Sequence, residues 1–140
     1  MQKTYQGSCV CGSVKFECEL DLAKGTTRCN CSFCKKARFW MAFTGSKNFR
    51  LLEGAQALKS YQRTPPGKPG PFLDFQFCGN CGVRAFTKGG ALPQFGGKFH
   101  AVNITCLDNA TDEELAQAPV HYADGRSDHW ETESATTRYL

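Results

Sequence analysis

The sequence predicts a mainly β domain with a short late helix, stabilised in part by bound metal. Short strand-like segments separated by glycine, proline and polar residues cover most of the chain, and a convincing helix pattern occurs late in it. Seven of the nine cysteines lie in three tight clusters. With 140 residues, an apolar fraction of 41% and a charged fraction of 21%, the chain is expected to form one globular domain over residues 1–140.

The first half of the chain is predicted to consist mostly of strands. Residues 13–20 alternate apolar and polar side chains with a period of two, as a half-buried strand does. Residues 38–43 are rich in aromatic side chains and indicate a buried strand. Residues 48–52 and 58–62 indicate two further short strands.

The second half begins with a loop and returns to strands. Residues 64–71 hold six prolines and glycines in turn-forming order and predict a loop, after which residues 72–77 are predicted to form a strand leading to Cys78. A returning strand is predicted at 83–86, and another at 99–104.

The late helix is predicted at residues 112–116. Asp108 or Thr111 can cap its N-terminus, and the acidic residues of its first turn suit the helix dipole. Pro119 is expected to end it.

The spacing of the cysteines favours metal ligands over disulfides. The clusters are Cys9-Val-Cys11, Cys29-Asn-Cys31-Ser-Phe-Cys34 and Cys78-Gly-Asn-Cys81. Thiols two or three positions apart converge readily on one ion, and a disulfide within a C-x-C pair is strained. A C-x-C pair and a C-x-x-C pair supply four thiolates, which close one zinc site, whereas the middle cluster supplies three. Cys18 and Cys106 stand alone and are expected to be small buried apolar residues.

Charge and hydropathy narrow the classes of partner. The first residues lack the apolar region of a signal peptide and no segment is long and apolar enough to span a membrane, so a cytoplasmic protein is predicted. The net charge of +4 combines a basic body with an acidic region after residue 100. The basic body can attract small anions, or the acidic region simply packs against it. Without a basic tail or an Arg/Lys-rich run, nucleic-acid binding is not expected, and no pattern indicates an oligomeric state.

Three blocks of the sequence resemble the glutathione-dependent formaldehyde-activating enzyme family, which includes proteins of the centromere protein V type. The first block is Gly7-Ser-Cys-Val-Cys-Gly-Ser-Val-Lys-Phe16, the second is Cys29-Asn-Cys-Ser-Phe-Cys34, and the third is Phe77-Cys-Gly-Asn-Cys-Gly82. The segments 102–108 and 122–130 resemble later family motifs. Two positions depart from the pattern: Asn30 stands where histidine is usual, and the glycine that commonly follows the second block is absent.

The resemblance implies a fold, cofactors and an activity. The fold would be Mss4-like, with curved antiparallel sheets stabilised by zinc. Two zinc ions per chain are implied: a structural one on Cys9, Cys11, Cys78 and Cys81, and a second, exchangeable one on Cys29, Cys31 and Cys34. The implied activity is that of a carbon–sulfur lyase handling S-hydroxymethylglutathione, the adduct of formaldehyde and glutathione, or a related thiol–aldehyde pair.

Three thiolates favour sulfur chemistry at the second zinc. They leave the ion with a net charge of −1, so it activates water less well than a zinc held by three neutral histidines. It is better suited to hold a fourth sulfur as a thiolate that attacks an electrophile. Lys35, Lys36 and Arg38 are candidates to contact the carboxylates of glutathione, unless they form only a solvated face.

Two other interpretations of the middle cluster remain open. It can be a second structural site if His100, His121, His129 or Cys18 supplies a distant fourth ligand. The C-x-x-C form of Cys31 to Cys34 also permits a redox role, although no βαβ pattern surrounds it. At the level of the whole protein, the alternative to an enzyme is a non-catalytic, zinc-stabilised binding module of Mss4-like fold.

Overall fold

The computed structural model describes residues 1–64 and 73–140, which form eleven strands and two α-helices. The strands are β1 Lys3–Ser8, β2 Lys15–Leu20, β3 Thr26–Cys29, β4 Met41–Gly45, β5 Phe49–Glu53, β6 Leu58–Arg63, β7 Leu73–Cys78, β8 Phe86–Leu92, β9 Gly97–Asn103, β10 Val120–Asp124 and β11 His129–Glu133. The helices are α1 Ser32–Ala37 and α2 Asp112–Gln117. The prediction of a mainly β protein is confirmed.

The strands are arranged in two sheets. The smaller has the order β1-β2-β5, and the larger has the order β11-β10-β3-β4-β9-β8-β7-β6. The pairs are antiparallel except that β10 lies parallel to β3, with Val120 opposite Thr26 and Ala123 opposite Cys29. The antiparallel arrangement expected from the sequence therefore has this one exception within the described residues.

Aromatic rings fill the space between the two sheets. Phe16 of β2 stacks on Phe49 of β5 with ring centroids 5.4 Å apart, and both rings contact Phe86 of the larger sheet at 5.9 and 4.6 Å. Because ring contacts of this kind add to the free energy of apolar burial, these residues are a principal source of cohesion between the sheets.

Helix α2 forms where the sequence predicts it. Thr111 caps its N-terminus, and the Glu114 carboxylate accepts a hydrogen bond from the Thr111 backbone amide, which completes a capping box. The alternative cap, Asp108, instead accepts a hydrogen bond from the Ser8 hydroxyl. Glu114 also accepts hydrogen bonds from Tyr5 and Lys3, so α2 docks against β1 of the smaller sheet.

Several local predictions need correction. The late helix is not the only one, because α1 begins directly after Cys31. The returning strand begins at Phe86 rather than at residue 83, because residues 79–85 are taken up by the turn that follows Cys78. The strand predicted at 38–43 lies at Met41–Gly45, and its Phe43 is 42% exposed.

Other predictions hold, and one lies partly outside the described residues. Strands overlap the predicted segments 13–20, 48–52, 58–62 and 99–104, and Cys18 and Cys106 are buried as expected. The loop predicted at 64–71 lies outside the described residues except for Thr64, as does the first residue of the segment 72–77. No helix among the described residues has the length and hydropathy needed to cross a bilayer.

Candidate metal centres

The first cluster brings four cysteines together from the two sheets. Cys9 and Cys11 lie in the loop between β1 and β2, Cys78 ends β7, and Cys81 lies in the turn that follows. Their four Sγ atoms lie within 4.8 Å of one another, with Cys11 Sγ 3.6 Å from that of Cys9 and 3.7 Å from that of Cys78. Four sulfurs bound tetrahedrally at about 2.3 Å would lie about 3.8 Å apart, so the cluster fits a metal ion.

Tight turns at both halves of the first cluster create this arrangement. Gly12 and Gly82 each follow a pair of cysteines and have φ values of +81° and +80°, a conformation that favours glycine. Backbone amides then donate to the sulfurs, from Val14 to Cys9 at 3.3 Å and from Asn80 to Cys78 at 3.4 Å. Such donors stabilise thiolates, the form that binds metal.

A thiolate is also favoured at Cys11 itself. A hydrogen bond with the Ser13 hydroxyl, 3.2 Å away, is the largest of the influences that lower the pKa of Cys11 to about 5. The first cluster therefore has the donor set of a closed site that links the smaller sheet to the larger one.

The second cluster lies within the larger sheet. Cys29 ends β3, Cys31 is the N-cap residue of α1, and Cys34 lies in the first turn of that helix. The three Sγ atoms lie within 4.8 Å of one another. The Cys31 amide donates to Cys29 Sγ and the Cys34 amide donates to Cys31 Sγ, both at 3.3 Å. The hydrogen bond with Cys29 is the main cause that lowers the pKa of Cys31 to about 2.

No fourth ligand joins the second cluster from the described residues, 1–64 and 73–140. His100 is buried against Phe49 and its Nδ1 lies 2.8 Å from the Ser46 hydroxyl, while burial lowers its pKa to about 4. The ring nitrogens of His121 contact Glu133 and the Trp130 carbonyl.

The two remaining candidates also lie elsewhere. Cys18 belongs to the core beside the smaller sheet, and His129 is exposed on β11. The second cluster is therefore a set of three ligands, which leaves one position of a tetrahedral ion open among these residues.

The parallel pairing of β10 with β3 builds one wall of the second cluster. It places Ala123 opposite Cys29, so the chain that follows Asp124 passes directly over the cysteine. A Cβ atom at Gly125 would lie 2.5 Å from Cys29 Sγ and 2.5 Å from the Trp130 ring. Only glycine fits this position without displacing the sulfur or the ring. From the sequence, Gly125 could be noticed only as part of the segment 122–130, which resembles a later family motif.

The sequence also matches a known protein family. The sequence model of the family described as glutathione-dependent formaldehyde-activating enzyme matches residues 4–124. The chain belongs to this family. The match includes all seven clustered cysteines.

A crystal structure of a Rhodobacter sphaeroides protein, solved as a structural-genomics target, is also similar. Its TM-score is 0.64 at 26% sequence identity, and the likeness covers 82% of this chain and 98% of that one.

Asn30, which departs from the motif resembled by the second block, connects the cluster to its wall. Its amide nitrogen donates to Asp124 at 2.8 Å and to the Ser134 hydroxyl at 3.1 Å, and its oxygen accepts from the Arg126 amide at 2.9 Å. A neutral imidazole offers one donor and one acceptor, so histidine could not make all three bonds. The hydrogen bond from Asn30 is also the main cause that lowers the pKa of Asp124.

Two of the predicted substrate-contacting cations lie around Tyr139, which is beyond the segment matched by the family. Lys35 Nζ lies 5.3 Å from the Tyr139 ring centroid, and Arg38 donates to the Tyr139 carbonyl at 3.0 Å. Arg126, which sequence reasoning missed, donates to the Tyr139 hydroxyl at 3.1 Å. Lys36, the third predicted cation, is exposed on α1.

A cleft of about 470 Å³ opens beside the second cluster. It is lined by residues next to the cluster, by residues after β10 and by residues near the end of the chain: Asn30, Lys35, Asp124, Arg126, Ser127, Ser134, Ala135, Thr136 and Tyr139. Arg38 lies nearby, in a smaller depression that it shares with Cys29 and Cys34. The second cluster thus lies near a cleft whose lining includes the cations Lys35 and Arg126 and the carboxylate of Asp124, while Cys29 and Cys34 themselves border the smaller depression.

Proposed function

We propose that this protein binds two zinc ions and uses the second to form or cleave a thiol–aldehyde adduct, as a carbon–sulfur lyase. The adduct would be S-hydroxymethylglutathione, made from formaldehyde and glutathione, or a closely related compound. The observation that carries the proposal is the three-thiol cluster without a fourth ligand among the described residues, next to a cleft lined by Lys35 and Arg126.

The two centres would have different tasks. Cys9, Cys11, Cys78 and Cys81 would hold a structural zinc, since four thiols fill its coordination sphere. Cys29, Cys31 and Cys34 would hold the second zinc, which is exchangeable because three protein ligands bind it less firmly than four.

The chemistry at the second centre is the addition of sulfur to a carbonyl. Zinc held there would supply a site that accepts the sulfur of glutathione as a thiolate and keeps it reactive towards an aldehyde. A carbon–sulfur bond forms as the C=O double bond becomes single, and the proton lost by the thiol ends on the new hydroxyl group. The reverse direction breaks the same bond.

The protein's cations would orient the tripeptide. Lys35 and Arg126 line the cleft, and Arg38 borders the smaller depression beside Cys29 and Cys34, where a carboxylate could take the place of the Tyr139 carbonyl on it. Lys36, exposed one residue further along α1, would add to the positive field that attracts the anion. A single domain acting in the cytoplasm, where glutathione is abundant, is part of this proposal.

The test combines metal content with adduct formation. Zinc per chain is measured in the unaltered protein and in the triple variant Cys29→Ser, Cys31→Ser, Cys34→Ser, with Cys18→Ala as a control outside both clusters. Exchange between ¹³C-formaldehyde, glutathione and their adduct is followed by NMR. We expect two zinc ions to fall to one in the triple variant only, and accelerated exchange to disappear with the second zinc.

Two results would contradict the proposal. One zinc in both the unaltered protein and the triple variant would remove the second centre. Two zinc ions without any effect of the protein on adduct exchange would instead favour the non-catalytic binding module.

A further inference from the structure

Arg84 is a partly buried cation, and two of its side-chain nitrogens lack a polar partner. It lies between Cys81 and β8, and its Nε and Nη2 atoms are inaccessible to solvent and make no hydrogen bond within the described chain. Three rings surround it: its Cζ lies 4.4 Å from the centroid of Phe33, 5.5 Å from Phe39 and 5.4 Å from Phe75. A buried charge with unpaired donors is costly, and cation–π contacts offset only part of that cost.

The surroundings of Arg84 belong to the second cluster. Phe33 is the residue directly before Cys34 in α1, and Phe39 packs with Cys29 and Cys34 in one core cluster. The rings of Phe33 and Phe39 thus hold the cation beside the part of the chain that carries Cys34.

A carboxylate does not supply the missing counter-charge. Asp74 is the acidic residue next to Phe75 on β7, but neighbouring side chains of a strand point to opposite faces, and Arg84 packs on the face of Phe75. Asp74 Oδ2 accepts a hydrogen bond from the Gln76 amide at 3.2 Å, and its Oδ1 is buried without a hydrogen-bond partner, so it is not bonded to Arg84.

From this arrangement we infer that Arg84 is a positioning residue that balances the negative charge of the second centre. The inference rests on the proposed function, because it concerns the state in which a substrate sulfur joins the three cysteines. Zinc with three thiolates has a net charge of −1, and with four it has −2. The guanidinium brings these totals to 0 and −1, so it favours entry of the fourth thiolate more than it favours the three-thiolate state.

The test measures thiol binding separately from catalysis. The protein with cobalt in place of zinc is titrated with 2-mercaptoethanol, which has no carboxylate for arginine to bind, so that the entering sulfur is its only negative group, and the sulfur-to-cobalt absorption band reports binding. Arg84→Met keeps the length and apolar packing of the side chain, Arg84→Lys keeps its charge, and Lys88→Met removes an exposed cation from the same region of the chain.

We expect Arg84→Met to weaken binding of 2-mercaptoethanol by about tenfold, the effect of one partly screened charge. Arg84→Lys should restore most of the affinity, and Lys88→Met should leave it within about twofold of the unaltered protein. Equal affinity in Arg84→Met and the unaltered protein would overturn the inference and leave the proposed function intact.

A second readout distinguishes failure of the inference from failure of the proposed function. If 2-mercaptoethanol does not change the cobalt spectrum of the unaltered protein, the proposed function fails. The rate at which zinc is released to a coloured chelator then tests the role of Arg84. Faster release of one zinc ion from Arg84→Met than from Arg84→Lys supports charge balance. Equal rates of zinc release from Arg84→Met and Arg84→Lys overturn the inference. Loss of the second metal from both variants during preparation also overturns it, because the packing of the arginine would then matter rather than its charge.

Discussion

At Gly125 the backbone passes close to the thiol of Cys29 in the second cluster. The Gly125 Cα passes so near Cys29 that an added methyl group would lie 2.5 Å from the sulfur. The path of the backbone after β10 therefore determines where the Cys29 sulfur can lie. Replacement of this glycine should affect the second centre much more than the first.

We predict that Gly125→Ala loses the second metal and retains the first. The new methyl group pushes Cys29 Sγ away from the other two sulfurs, so zinc per chain should fall from two to one. Gly45→Ala is the matched control, since a Cβ there meets its nearest neighbour at 3.4 Å, an ordinary contact. Two zinc ions retained in Gly125→Ala would show that the chain after β10 does not shape the centre.

His100 makes the stability of the protein depend on pH. Burial lowers its pKa to about 4 from 6.5, so the folded protein resists protonation of the ring and the unfolded chain does not. The stabilisation is complete above pH 6.5 and is lost as the pH falls; the loss reaches about 3 kcal/mol at pH 4. The measurements are made at a high concentration of zinc, so that metal loss does not dominate the change in stability in the upper part of the range from pH 6.5 to 4.

The measurement is urea unfolding at a series of pH values in His100→Phe and the unaltered protein. The phenylalanine ring keeps the stacking on Phe49, and loss of the Ser46 contact lowers stability equally at every pH. Acid-dependent metal loss is common to both proteins, so the difference between their pH profiles isolates the imidazole. Parallel profiles would refute the prediction.

At the residue scale, the sequence predicts ligands better than it predicts their surroundings. Cys29, Cys31 and Cys34 could be recognised because ligands of one ion lie close together in the chain. Asn30 could be recognised only as a departure from a motif. Its partner Asp124 is 94 residues away, and no local pattern records such a contact.

At the scale of elements, the two thiol clusters differ in what they connect. The first joins the β1–β2 loop of the smaller sheet to the β7–β8 turn of the larger one. The second joins β3 to α1, which are neighbours in the chain. Loss of the first should release the two sheets from each other, whereas loss of the second should disturb only one local region.

We therefore predict unequal effects from two matched substitutions, Cys11→Ser and Cys31→Ser. Each replaces one thiolate by a hydroxyl and should remove one zinc ion per chain. Cys11→Ser should lower the free energy of unfolding by about 5 kcal/mol or more, a large share of what a structural zinc contributes. Cys31→Ser should lower it by about 2 kcal/mol or less. Urea unfolding with parallel zinc analysis checks both, and equal losses would contradict the distinction.

Element prediction succeeded where periodicity was strong. Helix α2 has a capping box and an acidic first turn, both readable from the sequence. Helix α1 has six residues, contains the cluster cysteine Cys34 and has another, Cys31, as its N-cap residue, so helix propensity gives little signal. Strands β10 and β11 were missed because their positions depend on pairing with distant segments rather than on an alternating pattern.

At the scale of the whole molecule, the β class followed from the many short strand patterns, but the division into sheets did not. The sequence does not show that β1, β2 and β5 separate from the other strands, or that β10 lies parallel to β3. The separation into two sheets comes from the burial of Phe16, Phe49 and Phe86 between them. The parallel pair comes from a long crossover that brings the chain back beside β3.

The same parallel pairing has a consequence for the order in which a ribosome completes the two centres. All four thiols of the first cluster have been synthesised by residue 81, whereas the wall of the second awaits residues 120–125. Since growing chains fold from the N-terminus, we expect the link between the sheets to form first. The three thiols of the second cluster then remain uncovered for that interval of synthesis, which gives metal ions an access route that the finished protein narrows.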